Sequence, residues 1–310
     1  MSKLVEAIRL GVSTPSLFFR KVSQMYNQKI TDSDYNPHGE DIFKKDWDNL
    51  IILDACRYDL FKDLNYLEGE LGKFTSRGSA TPEFLKGNFD NKSLLDTVYV
   101  TTNPMLYRHQ DEIDVEFHDV INLWTGESWN DELGTVLPET TTNESIKAAE
   151  KYPNKRLIIH YMQPHYPFIH SETTFDKGHI GSDEPEDLTT WMQVMTGEID
   201  LTRDQLWDAY SQNLETALPE VEKLVENLVG RTIVTSDHGN MFGERSKPIP
   251  TREWGHPPHI WTPELVEVPW LVLNTKGERK EVVSEKNTTD RTSEQQNIVN
   301  DRLASLGYVE

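Results

Sequence analysis

Residues 232–245 have the sequence TIVTSDHGNMFGER, and this stretch decides the fold class that we expect. Its first part, 232–235, is rich in β-branched residues, which predicts a short buried strand. The strand runs directly into Asp237 and His238, so a carboxylate and an imidazole follow its carboxyl end. Oxygen and nitrogen ligands of this kind bind divalent metal ions. The stretch therefore predicts a metal site whose other ligands come from other strands.

Strands and helices alternate along the rest of the chain, and most of the strands are continuous apolar runs. Such runs are typical of strands that are buried on both faces of a parallel sheet. Further strands are predicted at 47–55, 96–103, 117–124, 154–162 and 268–274, and helices at 142–152 and 202–230. The alternation predicts an α/β fold, a three-layer sandwich whose central, mostly parallel sheet is flanked by helices.

Polar side chains follow several of these strands at the point where each strand ends. Asp54 follows the first, Asn103 the second and His165 a later one, while His256 precedes the last. Because the carboxyl ends of parallel strands meet at one edge of a sheet, we expect these side chains to lie near the Asp-His pair. We expect the remaining candidates to be packed or surface histidines that bind no metal: His160, His170 and His259.

The charge of the chain restricts the classes of partner. The formal net charge is -21, and such a surface repels nucleic acid and anionic membranes. We therefore expect no nucleic-acid partner. An anionic ester substrate would need a local cation on so negative a chain, and a bound metal ion is the simplest one. The acidic excess also suits a salt-rich cytoplasm.

Cysteine content and hydropathy bear on the cellular location. The chain contains one cysteine, Cys56, so it can form neither an intrachain disulfide nor a cysteine-based zinc site. It has no apolar run of membrane-spanning length and no apolar segment typical of a secretion signal near its beginning. We therefore expect a cytoplasmic location, with contact to the inner face of the membrane if the N-terminal region binds lipid.

Five segments resemble, in order, the motifs of the sulfatase branch of the alkaline phosphatase superfamily. They are NLIILDACRYDLF (49–61), PHYPF (164–168), AYSQNLETALPEVEKLVENLVGRTIVTSDHG (209–239), GHPPHIWTPELVEVPWLVL (255–273) and RLASLGY (302–308). The resemblance implies the fold of that superfamily and a metal-dependent reaction on phosphate or sulfate esters. It also implies that Asp54, Asp237 and His238 are metal ligands.

The nucleophile is implied by a sixth segment, SRGSATPEFL (76–85), which resembles the family's Gly-Ser-x-Thr motif. The resemblance puts Thr81 in the position of a metal-bound nucleophile, with Ser79 as the alternative. Metal coordination lowers the pKa of a hydroxyl and so activates it. The same residues also suit the start of a helix at Pro82, so a capping role without catalysis is the competing interpretation.

The family pattern implies a complete site. One divalent ion, Mn²⁺, Mg²⁺ or Zn²⁺, is bound by Asp54, Thr81, Asp237 and His238. His165 and His256 line the pocket, contact the non-bridging oxygens of the ester and protonate the leaving group. Arg57 stands where the family pairs an arginine with a carboxylate, here Asp59.

Cys56 departs from the pattern of formylglycine sulfatases, which require Cys-x-Pro-x-Arg. The residues that follow Cys56 are Arg-Tyr-Asp-Leu, and the cysteine stands beside Asp54 and far from Thr81. We therefore predict a metal-dependent hydrolase or transferase that acts on phosphate esters of a glycan, lipid or cell-surface polymer. The alternatives are a formylglycine-independent sulfatase and a non-catalytic relative that binds a glycan or a protein partner.

The chain divides into two parts in our interpretation. Residues 1–40 form an N-terminal helical arm, and residues 41–310 form the catalytic domain with a C-terminal helix. The arm has two open interpretations, because apolar residues recur in it at helical spacing. It packs on its own domain or on a partner subunit, or residues 1–26 contact a membrane surface peripherally. Its short, weakly basic sequence favours packing.

Overall fold

A seven-stranded sheet lies at the centre of the protein, with the strand order β2-β11-β8-β1-β7-β3-β4. The computed structural model describes residues 15–170, 190–273 and 277–287. The strands of this sheet are β1 Asn49–Leu53, β2 Gly69–Thr75, β3 Lys92–Thr101, β4 Val115–Asn122, β7 Arg156–Tyr161, β8 Thr232–Thr235 and β11 Glu267–Leu273. Two short hairpins lie outside it, formed by β5 Trp129–Asn130 with β6 Thr135–Val136, and by β9 Met241–Arg245 with β10 Arg252–Gly255.

The strand directions confirm the predicted fold class. The five neighbouring strands β8, β1, β7, β3 and β4 are parallel to one another. Strand β11 runs antiparallel to both of its neighbours, β8 and β2. All five residues of β1 are buried, as expected for a strand in the middle of a covered parallel sheet. The central sheet is therefore mostly parallel, and its parallel part brings several carboxyl strand ends to one edge.

Helices flank the sheet in the described part of the chain, besides two short 3-10 turns at Ile42–Lys44 and Leu123–Thr125. They are α1 Pro15–Thr31, α2 Tyr58–Leu64, α3 Thr81–Phe89, α4 Met105–Arg108, α5 Pro138–Lys151, α6 Thr190–Thr196, α7 Arg203–Asn227 and α8 Pro263–Val266. None of the helices in these described ranges is long and apolar enough to cross a membrane.

The long helix α7 begins where the sequence predicted and ends slightly earlier. The hydroxyl of Thr202 accepts a hydrogen bond from the Gln205 backbone, and the Gln205 side chain accepts one from the Thr202 backbone. This reciprocal capping box satisfies donors that the first turn leaves free. Helix α5 begins at Pro138, four residues before the predicted start at 142, because proline suits the first helical turn.

Strand β2 and the hairpin of β9 and β10 were not predicted. The sequence of β2, GELGKFT, contains no apolar run, and most of its residues are exposed at the edge of the sheet. Pairing with β11 along all seven of its residues makes it a strand. Tertiary pairing thus outweighs a weak local preference.

Three parts of the predicted domain organisation stay predictions. Residues 1–14 of the arm and the C-terminal helix are outside the described ranges, and the boundary at 40/41 stays a prediction. The later part of the arm is helical, as predicted, and forms α1. Its contacts are described with the site below, because they reach the segment that carries His256.

Candidate active site

Two carboxylates meet at the carboxyl edge of the sheet. Strands β1 and β8 are adjacent and parallel, so Asp54 and Asp237 follow them at the same edge. The Oδ1 atom of Asp237 accepts hydrogen bonds from the backbone of Ala55 at 3.0 Å and of His238 at 2.9 Å. Both carboxylates are completely buried. The backbone therefore holds one oxygen of Asp237 and leaves the Oδ2 atom to face Asp54.

Asp54 is held by a residue from a third strand. Its Oδ2 atom accepts a hydrogen bond from the Nδ2 atom of Asn103, which follows β3. Its Oδ1 atom has no hydrogen-bond partner, although the residue is buried. A buried carboxylate oxygen without a donor is costly, so the site has room for a positively charged ligand at this atom.

The hydroxyl of Thr81 lies in the same cluster. Its Oγ1 atom donates to Asp237 Oδ2 at 2.8 Å and is 3.2 Å from His238 Nε2. Thr81 is the first residue of α3, so its place at a helix start and its place in the cluster occur together. Ser79 is oriented differently, because its hydroxyl contacts Glu83 Oε2 at 3.0 Å and the carbonyl oxygen of Pro257 at 3.1 Å. The geometry brings Thr81 to the carboxylates and keeps Ser79 apart from them.

The imidazole of His238 presents a lone pair to the cluster. Its Nδ1 atom lies 2.7 Å from the carbonyl oxygen of Gly239, so Nδ1 carries the proton and donates it there. The Nε2 atom is then left to face the carboxylates, 3.4 Å from Asp237 Oδ2 and 3.7 Å from Asp54 Oδ1. Two carboxylates and an imidazole nitrogen thus converge, with the Thr81 hydroxyl donating to Asp237 Oδ2 and the Asn103 amide donating to Asp54 Oδ2.

His160, which we had expected to be an ordinary packed histidine, also faces this cluster. Its Nδ1 atom is 2.8 Å from the hydroxyl of Tyr99. Its Nε2 atom has no hydrogen-bond partner and lies 3.5 Å from Asp54 Oδ2 and 3.8 Å from Asp237 Oδ2. The sequence contained one signal, a histidine inside the apolar strand β7. Only the sheet register, which pairs His160 with Ile52 of β1, shows that it lies near Asp54.

The donor set fits a divalent metal ion. One ligand atom from each of Asp54, His160 and Asp237 lies within 4.8 Å of the other two. The unpartnered Oδ1 of Asp54 and the lone pair of His238 face the same space. Acceptor atoms of like charge or polarity, buried together, repel one another unless a cation lies between them. Carboxylate oxygen and imidazole nitrogen are ligands that such ions use.

His165 and His256 lie side by side next to the cluster. Their Nε2 atoms are 2.9 Å apart, and the ring of His256 is 4.7 Å from that of His238, centroid to centroid. Burial lowers the pKa of His165, and burial together with the neighbouring rings lowers the pKa of His256 well below its ordinary value. Both rings are therefore neutral near pH 7. Because the Nδ1 atom of His165 donates to the Tyr166 carbonyl, its Nε2 atom accepts the proton of His256 Nε2.

Two residues of α7 position the loops of the site. The Nδ2 atom of Asn213 contacts the carbonyl oxygens of Pro164, His165 and Pro167. The hydroxyl of Tyr210 donates to the carbonyl of Ala55, the residue after Asp54, whose φ of 58° is unusual for a side chain other than glycine. We did not predict either role, and the only signal was a polar atom on the buried face of an amphipathic helix.

Arg57 is held by ion pairs, and Cys56 is buried in the protein interior. Arg57 forms ion pairs with Asp59 at 2.6 Å and with Glu244 at 2.7 Å, in line with the pairing expected from its sequence position. Cys56 is completely buried, and burial raises the pKa of its thiol well above the ordinary value. A thiol that resists ionisation is a poor nucleophile.

Helix α1 contacts the segment that carries His256. Arg20 pairs with Glu253 at 2.5 Å, and the side-chain amides of Gln24 and Asn27 donate to the carbonyls of Pro258 at 3.0 Å and His259 at 2.8 Å. These three positions of the helix are spaced so that they share one face. The described part of the arm therefore packs on its own chain. Membrane contact through residues 1–26 stays a prediction.

Replacing Arg20 with methionine is expected to lower the free energy of unfolding by about 3–5 kcal/mol. The side chain of Glu253 is completely buried, so the substitution would leave an unpaired charge in the interior. The double substitution Arg20→Met with Glu253→Gln is expected to recover part of the loss. Urea titration followed by circular dichroism measures all three proteins.

An exposed ion pair provides the matched control. Lys45 and Glu40 lie 2.6 Å apart, but their side chains are 39% and 43% exposed. Replacing Lys45 with methionine is expected to cost less than about 1 kcal/mol, because water screens the pair. If Arg20→Met and Lys45→Met lower the free energy of unfolding equally, the buried pair contributes no more to stability than the surface pair.

Comparison with known proteins found similar solved structures at low sequence identity. No family model matches the chain, and no curated protein sequence matches it. One matching solved structure is the soluble domain of lipooligosaccharide phosphoethanolamine transferase A from Neisseria meningitidis, at 13% identity over 74% of this chain and 76% of that chain, with a TM-score of 0.45. Another is a protein in the alkaline phosphatase superfamily from Vibrio parahaemolyticus, at 13% identity over 93% of this chain and 75% of that chain, with a TM-score of 0.41.

A third match is the C-terminal periplasmic domain of EptC from Escherichia coli in complex with Zn. It is 13% identical over 77% of this chain and 76% of that chain, with a TM-score of 0.45. This chain has a central sheet of seven strands, which is mostly parallel and is flanked by helices. The described residues form an α/β fold of this layered type, and the solved structures that the chain resembles include a member of the alkaline phosphatase superfamily.

The predicted cellular location of this chain is wrong. We expected a cytoplasmic location, but the matching transferase structures include periplasmic domains, which lie outside the cytoplasm. The expectation of contact with the inner face of the membrane is withdrawn with it. The net charge and the single cysteine are compatible with either compartment. The composition therefore had no physical basis for choosing between them.

Proposed function

We propose that this sulfatase-like protein is a metal-dependent hydrolase or transferase that acts on phosphate esters, with Thr81 as its nucleophile. One observation carries the proposal. The Thr81 hydroxyl lies in a buried cluster where Asp54 Oδ1 has no hydrogen-bond partner and where His238 presents its Nε2 atom. A hydroxyl in such a cluster is placed for activation by a cation rather than for capping alone.

The metal site is proposed from the residues that converge there. Asp54, Thr81, Asp237 and His238 would hold a divalent ion, with His160 as a further ligand candidate. A bound ion of this kind lowers the pKa of a hydroxyl and polarises an ester oxygen. Mixed imidazole and carboxylate donors suit Zn²⁺ and Mn²⁺ better than Mg²⁺, which prefers oxygen ligands and water.

Thr81, Asp237 and the pair of His256 and His165 have different roles in the proposed reaction. The hydrogen bond to Asp237 directs the Thr81 proton onto the carboxylate, so the lone pairs of the oxygen face away from it. Attack forms a bond between Thr81 Oγ1 and phosphorus and breaks the bond from phosphorus to the leaving alcohol. The departing oxygen accepts a hydrogen bond from Nε2 of His256 and takes up one proton, which balances the proton that Thr81 gives up. Water, or the hydroxyl of an acceptor, then cleaves the phosphothreonine ester and restores Thr81.

The neutral state of the two histidines supports this assignment. Because burial keeps them uncharged near pH 7, His256 holds one proton on Nε2 and His165 offers a lone pair. A neutral pair of this kind donates the Nε2 hydrogen of His256 as a hydrogen bond to the negative charge that develops on the leaving oxygen, and neither ring becomes an anion. Asn213 fixes the loop of His165 through three carbonyl groups, so the pair is held in place before the substrate binds.

Phosphate is favoured over sulfate by the identity of the nucleophile. Cys56, the only cysteine, is buried, with its backbone N–H on Ser236 and its thiol against the carbonyl of Arg57. It lies outside the segment 76–85 that matches the family's nucleophile motif. We extend the proposal to a phosphate ester of a glycan, lipid or cell-surface polymer, the class that the family resemblance implies.

A panel of aryl esters tests the proposal. Aryl phosphate monoester, aryl phosphate diester and aryl sulfate are supplied to the purified protein with Zn²⁺, Mn²⁺ or Mg²⁺, and release of the phenol is measured. We expect turnover of at least one phosphate ester to exceed that of the sulfate by tenfold or more, as an order-of-magnitude criterion. Faster turnover of the sulfate would favour the sulfatase alternative. Metal binding without any turnover would favour the non-catalytic alternative.

A further inference from the structure

A cavity of about 250 Å³ lies beside the candidate active site. Its walls come from α1, from the start of α3, from α4, from α6, from the segment after β7, and from β10 with the segment that follows it. Most of the side chains that line it are aromatic or apolar, including Met105, Tyr166, Trp191, Trp254 and Pro257. Among the residues that α6, β10 and the segment after β10 contribute to this lining, His256 is the one with a polar, titratable side chain.

The polar side chains from α1 in this cavity are already engaged. Arg20 lines the cavity, but its guanidinium pairs with Glu253 and donates to the carbonyl of Trp254. Gln24 also lines it, and its amide donates to the carbonyl of Pro258. The helix therefore closes one side of the cavity without offering a free charge to a ligand there. Basic side chains lie at another side, from Arg108 and His109.

The cavity and the reacting centre share a wall. Ala80 and Pro82, the residues on either side of Thr81, both line the cavity. His256 lines it as well, and its Nε2 atom contacts His165 at 2.9 Å. A phosphate ester held at Thr81, with its leaving oxygen at His256, has this cavity as the adjoining space for its alcohol portion.

We propose that the cavity binds the alcohol portion of the ester and selects an alcohol that carries an apolar or aromatic group. This inference rests on the function proposed above. The volume corresponds to about eight water molecules at ~30 Å³ each, which is room for one aromatic ring or a short alkyl chain. A small polar alcohol would leave the aromatic walls in contact with water, whereas an apolar group would displace that water.

A series of n-alkyl phosphates, from methyl to hexyl, tests the selection. Primary alkyl alcohols differ little as leaving groups, so a change in kcat/KM along the series reports contacts with the chain. We expect kcat/KM to rise about fourfold per methylene group, equivalent to ~0.8 kcal/mol, until the cavity is full. Flat values, or a preference for glycerol phosphate or ethanolamine phosphate over hexyl phosphate, would overturn the inference.

Binding of n-alkylphosphonates separates this inference from the proposed function. These compounds have no ester bond, so their dissociation constants, measured by calorimetry on the metal-supplemented protein, do not depend on turnover. If affinity rises with chain length while no ester is cleaved, the proposed role of the cavity is supported and the proposed reaction is contradicted. If esters are cleaved but affinity and kcat/KM are both independent of chain length, the proposed reaction is supported and the proposed role of the cavity is contradicted.

Two substitutions in the cavity and one outside it complete the test. Trp191→Ala removes an aromatic wall, and Met192→Ala shortens a second lining side chain. Both are expected to lower the gain to less than about twofold per methylene group. Trp270→Ala, at a half-buried tryptophan of β11 that stacks on Phe74, is the matched control and should keep the fourfold gain. An unchanged gain in both cavity variants, with their folding checked by thermal unfolding, would place the alcohol elsewhere.

Discussion

Replacing Thr81 with alanine is expected to reduce turnover of phosphate esters by about 10⁴-fold or more, since loss of a nucleophile commonly costs several powers of ten. The physical reason is that Oγ1 is the atom proposed to bond to phosphorus. The same oxygen contacts Asp237 Oδ2 at 2.8 Å inside the candidate metal cluster, so metal retention should weaken too. Steady-state kinetics on the best aryl ester, with metal content measured on the same sample, checks both effects.

Three further substitutions serve as controls for Thr81. Thr81→Ser keeps the oxygen and is expected to keep part of the activity. Ser79→Ala removes a hydroxyl that contacts Glu83 and Pro257, so its effect should be much milder. Cys56→Ala should leave kinetics nearly unchanged, because the thiol is buried and its raised pKa disfavours ionisation. An active Thr81→Ala protein together with an inactive Cys56→Ala protein would refute the assignment.

Replacing Asp237 with alanine is expected to remove the divalent ion from the protein. The wild-type chain should retain about one ion, because its carboxylate and imidazole donors form a single buried cluster. Asp237 contributes the Oδ2 atom that faces Asp54, His160 and Thr81, so its loss removes a central ligand. Elemental analysis after gel filtration measures the metal occupancy. Full occupancy in the variant would show that the metal binds at another site.

His160 allows a sharper version of the metal experiment. Its Nε2 atom lies 3.5 Å from Asp54 Oδ2, so His160→Ala should lower metal occupancy or affinity by at least about tenfold. His118 on β4 is the matched control, since its Nδ1 atom contacts the carbonyl of Glu285 and His118→Ala should retain the ion. Metal should also raise the melting temperature of the wild-type protein but not of Asp237→Ala, because a ligand stabilises only the state that binds it. Equal metal affinity in His160→Ala and wild type would exclude His160 as a ligand.

The edge of the sheet where the candidate site lies could be predicted because each strand carries its own signal. Asp54 and Asp237 directly follow apolar runs, and parallel neighbours bring such positions to one edge. Only a short local stretch has to be interpreted for each of them. The match of SRGSATPEFL to a family motif placed Thr81 in the same way, but it left Ser79 open. The orientation of the two hydroxyls in space separates these residues.

The sequence by itself determined the α/β class and the residues at the strand tips, since hydrophobic periodicity and the residue after each strand are local properties. Only the tertiary structure decided that His160 faces the carboxylates, because side chains alternate across a strand and the register with β1 chooses the neighbours. It likewise decided that Arg20 meets Glu253, 233 residues later in the chain. Contacts between distant segments depend on how whole elements pack. No local pattern of charge or hydropathy encodes which polar atoms will be buried opposite one another.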